Sequence, residues 1–386
     1  MRRRAGGGGM LGGMRVVAGR TDRPRIGLVL GAGGVLGGAW LAGALAAVAE
    51  STEWDPAGAD VIVGTSAGSM IGALLAGGVP PWFMVAHSAG DTFPGLLDAN
   101  GQPTDEADRS AGGVLVRRKG FPDLRPYSVG YGLRALRNPR RHRLGAAAAA
   151  WAPRGVMSTR PLRETVQRVV PTGWADHPAL WIVATDCATG RRVVFGRDDA
   201  PPAHLSQAVA ASCAVPGLYR PVLIGDRRYV DGGAWSPSNL DCVARADLDV
   251  VLCLNPLSAR PEDLADAGKG RVRGAVRRSV GRRLGWEARR LRERGTAVVL
   301  VQPVAEDLAQ MGGNMMSTVR RHRVLETAQR TVARQLADSG LHELLAYQPK
   351  APAHRLRRPD GPVSSWPVEA LPPRTSVARP LADAQP

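Results

Sequence analysis

The chain has 386 residues, a formal net charge of +17 and only four cysteines. That length allows one large domain or two small ones and a sizeable core, and a hydrophobic content of 44% excludes disorder of the whole chain. The cysteines are far apart in the sequence. Their spacing excludes a disulfide scaffold and a CxxC-type zinc site, and it fits a reduced compartment.

The positive charge is concentrated in three segments. Residues 1–25, 109–163 and 269–294 carry net charges of +6, +12 and +9, and the rest of the chain nets −10. Regional basicity of this kind is compatible with binding to nucleic acid or to a membrane surface. Arginine supplies nearly all of it, which a coding bias explains more simply than specific recognition.

Predicted strands and helices alternate from residue 26 onward. The uncharged stretch Ile26–Ala49 is long enough to cross a membrane, but a strand, a glycine loop and a helix explain its pattern better. Strands are predicted at Ile26–Leu30, Asp60–Val63, Leu180–Thr185, Arg192–Phe195, Val222–Ile224, Val250–Leu254 and Ala297–Val301. Helices are predicted at Ala39–Ala49, Ser69–Ala76, Pro161–Val170, His204–Cys213 and Thr318–Ala337. This alternation predicts an α/β fold, with a mainly parallel central sheet and helices on both faces.

Three segments lie outside the alternation. Residues 1–23 are predicted to be a disordered basic tail without the apolar core of a secretory signal. Residues 346–386 are rich in proline and are predicted to be a second disordered tail. Residues 90–160, rich in glycine, proline and arginine, are predicted to form a loop-rich basic lid or insertion. The folded domain is therefore expected to span residues 24–345.

Gly64, Ser66 and Gly68 form a G-x-S-x-G pattern between a predicted strand and a predicted helix. In this pattern a serine sits on a tight turn, and its small neighbours let a substrate reach the hydroxyl. The pattern is short enough to arise by chance, so an ordinary glycine-rich turn is the alternative. The flanking strand and helix favour a nucleophilic serine.

A second glycine loop, Gly31–Gly38, also lies between a strand and a helix. As a dinucleotide fingerprint, typical of an oxidoreductase, it fails at the third glycine, where Leu36 stands. Alternatively, the N–H groups of Gly33 and Gly34 form an oxyanion hole at the helix N-terminus. The serine turn that follows favours the oxyanion hole.

A nucleophilic serine needs a base, and none of the seven histidines lies in the glycine- or aspartate-rich loop expected of a catalytic imidazole. Asp231 is the better candidate because it follows a short strand and precedes Gly232 and Gly233, which leave room for Ser66. A desolvated carboxylate has a raised pKa and can accept the serine proton directly. A simple Asp-Gly turn is the alternative.

Three blocks in this order resemble the patatin-like phospholipases. They are the glycine loop with the following Ala39–Leu45, then Gly64–Gly68, then Val230–Gly233. The segment Ala211–Pro221 also resembles the one that precedes the family's aspartate block. The resemblance covers residues 24 to about 255, and the combination is far more specific than any single motif.

The resemblance implies an α/β hydrolase that cleaves acyl esters of lipids with a Ser-Asp dyad and no histidine. It implies that Ser66 is the nucleophile, Asp231 the general base, and Gly33 and Gly34 the oxyanion donors. No metal is expected, because the sequence shows no cluster of metal ligands, and no cofactor is expected. The glycines that would support these motifs are Gly31, Gly64, Gly68, Gly232 and Gly233. The chain departs from the family at Leu36, since the family's loop commonly carries an arginine shortly before its last glycine.

The basic segments suggest contact with an anionic membrane. In residues 269–294, apolar residues recur every four positions between arginines, as in helices that lie on a bilayer; they are Val272, Val276, Val280 and Leu284. Packing of this stripe on the core is the alternative. The arginines of residues 109–163 are candidates for contact with lipid headgroups. Nucleic acid is an unlikely partner, because no zinc finger, RNP-type motif or helix-turn-helix accompanies the arginines.

We therefore expect a cytoplasmic lipid hydrolase, with a peripheral position at the inner face of the membrane as one option. The non-enzymatic alternative is a degenerate family member that binds anionic lipid or nucleic acid through its arginines.

Overall fold

The computed structural model describes residues 23–89, 115–117, 123, 125–266, 271–337, 339, 341 and 345. Apart from Arg23, both predicted tails lie outside these residues, as does most of the predicted insertion before residue 125.

The described strands form one mixed sheet. They are β1 (Ile26–Leu30), β2 (Val61–Thr65), β3 (Leu180–Asp186), β4 (Arg192–Phe195), β5 (Val222–Ile224), β6 (Arg227–Asp231), β7 (Val250–Leu254) and β8 (Ala297–Val301). Their order is β5-β6-β3-β2-β1-β7-β8, and β4 also pairs with β3. Pairing is parallel from β3 through β2, β1 and β7 to β8, and antiparallel where β4, β5 and β6 join. The predicted mainly parallel sheet is confirmed.

Helices cover both faces of this sheet. They are α1 (Gly34–Thr52), α2 (Ala67–Ala76), α3 (Pro81–Ala89), α4 (Val129–Arg137), α5 (Leu144–Trp151), α6 (Arg160–Gln167), α7 (Leu205–Ser212), α8 (Pro261–Asp266), α9 (Arg271–Arg292), α10 (Ala305–Met311) and α11 (Arg321–Ala337). Alternate residues of β1 enter two separate cores. Leu28 packs in the larger core with residues of α1 and α11, and Val29 packs in a second core with Leu284 of α9.

Helix α1 is the central helix of the larger core. Among the described helices it alone is long and apolar enough to cross a membrane, yet 67% of its most apolar 18-residue window is buried in the fold. The side chains of Trp40, Leu41 and Leu45 are fully buried. The strand-loop-helix interpretation of this uncharged stretch is confirmed, and the helix begins at Gly34, earlier than predicted.

The predicted apolar stripe of helix α9 is partly buried in the core and partly exposed. Leu284 is fully buried and Val280 is 9% exposed, so this half of the stripe packs on the core. Val276 is 57% exposed, and the side chain of Val272 lies outside the described residues. Trp286 is half-exposed between the guanidinium groups of Arg283 and Arg290. Core packing, the alternative interpretation, therefore accounts for the C-terminal half of the stripe.

The described part of the predicted insertion contains a helical hairpin. Helices α4 and α5 pack against each other through Tyr131, Ala135, Ala146 and Ala150. The hydroxyl of Ser128 caps α4 by accepting a hydrogen bond from the N–H of Tyr131. The alanine-rich sequence of α5 favours a helix by intrinsic propensity, a signal that the glycine and arginine content of the segment obscured.

Candidate active site

Ser66 lies on the sharp turn between β2 and α2. Its backbone angles, φ 52° and ψ −120°, are rare for a residue with a side chain and are typical of functional turns. The flanking glycines make the turn possible. A Cβ atom on Gly68 would lie 2.1 Å from the carbonyl oxygen of Leu30, and one on Gly64 would lie 2.5 Å from Cα of Ser69. The predicted strand-to-helix turn at the serine is confirmed.

Gly68→Ala is therefore expected to destabilise the fold by about 3 kcal/mol or more, because its Cβ would collide with the backbone of β1. The matched control is Gly285→Ala in α9, where a Cβ meets nothing within 4 Å. That change should stabilise the fold by about 0.5–1 kcal/mol through helix propensity. Urea denaturation of the two variants checks this, and equal stabilities would contradict it.

Hydrogen bonds between the backbone of Ser66 and residues at the end of α7 and in α2 hold the serine turn in place. The N–H of Ser66 donates to Oγ of Ser212 at 2.9 Å. The carbonyl oxygen of Ser66 accepts hydrogen bonds from Oγ of Ser69 at 2.6 Å and from Sγ of Cys213 at 3.2 Å. These contacts fix the backbone of Ser66 without using its hydroxyl, which stays free for chemistry. Sequence reasoning did not identify Ser212 or Cys213 as part of the site.

Strand register brings Asp231 beside Ser66. Thr65, the last residue of β2, lies opposite Val183 of β3, and Asp231, the last residue of β6, lies opposite the next residue, Ala184. The ends of β2 and β6 therefore meet at neighbouring positions on one strand. The Ser66 side chain lies close enough to the Asp231 carboxylate to act on the pKa of that carboxyl, which it lowers. The two residues predicted as a pair are thus adjacent, 165 positions apart in sequence.

The environment of Asp231 favours its protonated form. Only 5% of the residue is exposed, and this desolvation raises the pKa of Asp231 to about 6. The nearby Ser66 side chain and a hydrogen bond from the N–H of Gly233, at 2.7 Å, both lower this pKa but do not cancel the effect of burial. The carboxylate is consequently a stronger base than an ordinary aspartate, yet it is still mostly ionised at neutral pH.

The glycine loop, Gly31–Gly38, packs against residues near Ser66 and Asp231 in the sequence. A Cβ on Gly38 would be 3.9 Å from Cβ of Ala67, and one on Gly233 would be 3.6 Å from Cβ of Ala32. The loop is anchored by hydrogen bonds of three of its N–H groups. They run from Gly31 to Leu254, from Ala32 to Pro237 and from Leu36 to Met315. Among the described residues, no backbone hydrogen bond uses the N–H of Gly33 or Gly34.

Gly34 has a specific reason to be glycine. Its φ of +62° is in the left-handed region, and a Cβ there would lie 2.9 Å from the carbonyl oxygen of Met315. The loop can therefore present two consecutive unengaged donors at the N-terminus of α1, where the helix dipole also favours negative charge.

A buried polar network joins the strand before Ser66 to the loop after Asp231. The side-chain amide of Asn239 donates to Oγ1 of Thr65 at 3.1 Å and to the carbonyl oxygen of Ser236 at 2.5 Å. Behind it, the fully buried Glu287 of α9 accepts hydrogen bonds from Ser236 and Ser238. No sequence pattern identified Asn239 or Glu287, because their partners are distant in the chain.

The other candidate groups are elsewhere. Among the described histidines, none has a hydrogen bond to Ser66 or Asp231; the ring of His204 instead accepts the N–H of Gly173, and the ring of His177 accepts the N–H of Ala179. The described residues contain no cluster of three or more His, Cys, Asp or Glu side chains suited to a metal ion. The reactive groups that the structure places near each other at this turn are the Ser66 hydroxyl and the Asp231 carboxylate.

Comparison with known protein families gave a match that spans these residues. A family model described as patatin-like phospholipase matches residues 28–242, more than half of the chain, and this range includes the glycine loop, Ser66 and Asp231. Comparison with curated proteins gave no match.

Two solved structures share the fold at low similarity. VipD from Legionella pneumophila has 14% identity and a TM-score of 0.36, over 82% of this chain and 67% of VipD. The type III effector protein ExoU has 18% identity and a TM-score of 0.31, over 81% of this chain and 53% of ExoU. The chain thus spans about half the length of ExoU, and likenesses this distant carry no argument about function. The family match does, and the chain belongs to the patatin-like phospholipases, a family of lipid acyl hydrolases.

Proposed function

We propose that the protein is a serine hydrolase that cleaves acyl esters of phospholipids and related lipids with a Ser66–Asp231 dyad. The observation that carries this proposal is the contact between a serine on a strained turn and a desolvated carboxylate whose pKa is raised to about 6. The N–H groups of Gly33 and Gly34 are the proposed oxyanion donors. The N–H groups of Gly31, Ala32 and Leu36 in the same loop already donate to backbone carbonyl oxygens.

In the first step, the Asp231 carboxylate accepts the Ser66 proton while Oγ attacks the acyl carbonyl carbon. The carbonyl oxygen becomes an oxyanion that the N–H groups of Gly33 and Gly34 stabilise. The C–O bond to the leaving alcohol or lysolipid then breaks, and protonated Asp231 returns the proton to the departing oxygen. Ser66 is left as an acyl ester.

In the second step, a water molecule attacks the acyl carbon as Asp231 accepts its proton. Collapse of this intermediate releases the fatty acid and restores Ser66 with the proton from Asp231. One carboxylate serves both steps, which suits a group whose pKa lies near the working pH.

The test is release of free fatty acid from vesicles that contain phosphatidylcholine alone or mixed with phosphatidylglycerol. We expect the protein to release fatty acid from at least one composition and to hydrolyse the soluble ester p-nitrophenyl butyrate. Folded protein that acts on neither substrate would contradict the proposal and favour the degenerate, lipid-binding alternative.

We also propose that the α4–α5 hairpin is the surface that contacts an anionic membrane. On the side of α4 away from Tyr131, apolar side chains are exposed at helical spacing: Val129, Leu133 and Leu136. Leu144, at the start of α5, is 81% exposed. The sequence from 125 to 163 contains nine arginines and no acidic residue. An exposed apolar stripe among arginines is complementary to an anionic bilayer.

The hairpin also lies beside the proposed base. A Cβ on Gly145 of α5 would be 2.5 Å from the carbonyl oxygen of Ala234, three residues after Asp231. Binding through α4 would therefore bring the site close to its lipid substrates. A cytoplasmic enzyme with this surface would work at the inner face of the membrane. Helix α9 contributes less, since Val280 and Leu284 pack on the core.

Replacing Leu133 and Leu136 by serine is expected to weaken binding to phosphatidylglycerol-containing vesicles by about 10-fold or more, since each buried leucine contributes roughly 1.5–3 kcal/mol. Activity on p-nitrophenyl butyrate should not change. The control is Val319→Ser, at a site 80% exposed on another segment. Vesicle flotation measures binding. Unchanged flotation of the double variant would contradict this surface, and loss of a dimer in light scattering would assign the stripe to self-association.

A further inference from the structure

A largely buried arginine lies behind the glycine loop. Nη1 of Arg277, on α9, donates to the carbonyl oxygens of Pro256 at 2.8 Å and Ser258 at 3.4 Å. Nη2 contacts the sulfur atoms of Met311 at 3.5 Å and Met315 at 3.7 Å. Among the residues that the structure describes, no carboxylate forms an ion pair with this guanidinium, and Asp307 acts on it only at longer range.

Two of the residues that Arg277 contacts, Pro256 and Met315, pack directly against the glycine loop. The ring of Pro256 would be 2.7 Å from a Cβ on Gly33, so the two are in close contact. On the other side, the carbonyl oxygen of Met315 accepts the N–H of Leu36 and lies next to Gly34. Arg277 thus bridges the two chain segments that enclose the proposed oxyanion donors.

Burying this guanidinium is unfavourable for stability. Desolvation lowers the pKa of Arg277 to about 10, so the group is still charged at neutral pH, and its solvation cost is offset by hydrogen bonds to carbonyl oxygens but by no ion pair among the described residues. A methionine would fill similar space without that cost, and two of the arginine's neighbours are already methionines. The neighbouring Arg278, by contrast, is exposed. A contribution to packing alone does not explain a charge at this position.

We propose that Arg277 is a positioning residue for the oxyanion hole: it clamps Pro256 and Met315 around Gly33 and Gly34, and its buried charge favours the oxyanion that forms there. Charges act strongly on one another where water is excluded. The inference rests on the proposed function.

The experiment compares Arg277→Met with Arg278→Met, an exposed arginine of the same helix. For p-nitrophenyl butyrate we expect Arg277→Met to lower kcat by about 10-fold or more with little change in KM, because the oxyanion exists only in the transition state. Its melting temperature should equal or exceed that of the unmodified protein. Arg277→Lys, which keeps the charge but not both arms of the clamp, should be intermediate. Arg278→Met should change neither quantity.

The outcomes separate this inference from the proposed function. An inactive unmodified protein would contradict the dyad itself. An active protein whose Arg277→Met variant keeps full kcat would overturn only the role of Arg277. A loss of kcat with a matching fall in melting temperature would assign Arg277 to the fold, and it would also overturn the inference. Partial recovery of kcat in Arg277→Ala on addition of guanidinium ion, at concentrations below those that unfold the protein, would support it.

Discussion

Ser66→Ala is expected to lower kcat for p-nitrophenyl butyrate by about 10³-fold or more, because the acyl group then has no nucleophile to accept it. The fold should not change. The backbone N–H of Ser66 donates to Ser212, and its carbonyl oxygen accepts from Ser69 and Cys213, so the hydrogen bonds that hold the turn do not need the hydroxyl. Initial rates, with circular dichroism as a check of folding, measure the effect.

The matched control is Ser279→Ala, an exposed serine on α9. It should keep full activity. A Ser66→Ala variant that is folded and retains more than a few per cent of the rate would place the nucleophile at another residue.

Asp231→Asn is expected to abolish hydrolysis to a similar degree, since the amide cannot accept the Ser66 proton. The same change should stabilise the folded protein at neutral pH. Burial raises the pKa of Asp231 from 3.8 to about 6, so the folded state disfavours the ionised carboxylate. Asparagine keeps a side-chain oxygen that can accept the N–H of Gly233, but it carries no charge to desolvate.

The sign of the pH dependence follows from this raised pKa. Well below pH 3.8 the carboxyl is protonated in both the folded and the unfolded protein, and it imposes no penalty. As the pH rises through the range from 4 to 6, the unfolded state ionises first, and the folded protein loses stability relative to Asp231→Asn. The difference should reach about 3 kcal/mol at pH 7, from the roughly 1.4 kcal/mol that each pKa unit represents.

Activity should change in the opposite direction, rising with an apparent pKa near 6 as the base ionises. Denaturant midpoints of both proteins between pH 4 and pH 8, with a kcat/KM profile of the unmodified enzyme, test both statements. Asp226→Asn, at an exposed turn before β6, is the control and should affect neither. Full activity in Asp231→Asn would refute the dyad.

The sequence predicted the candidate reactive residues more completely than the residues that hold them in place. The motifs at Gly31, Ser66 and Asp231 could be recognised because each depends on local backbone geometry: a tight turn, a close approach or a strand end. The proximity of Ser66 and Asp231 could not be derived from their spacing in the sequence. It depends on strand register, because Thr65 and Asp231 pair with adjacent residues of β3.

Residues whose role depends on burial could not be predicted. Arg277 and Arg278 are adjacent in sequence, and only the packing of α9 shows that the first is largely buried and the second exposed. Asn239 contacts Thr65 across 174 positions. For the same reason, the stripe on α9 resembled a membrane-binding surface, although Leu284 lies in the core. The exposure of Leu133 and Leu136 on α4 likewise depends on how α4 packs against α5, which the sequence alone does not show.

The central claim is that Ser66 is an activated nucleophile, and covalent labelling by a fluorophosphonate tests it most directly. The reagent forms a stable phosphonyl ester only with a serine whose hydroxyl is activated. We predict one adduct per chain, which peptide mass spectrometry locates on Ser66, and we predict that labelling slows below pH 6 and is lost in Asp231→Asn. An adduct on a different serine, or none on an active protein, would contradict the Ser66–Asp231 dyad.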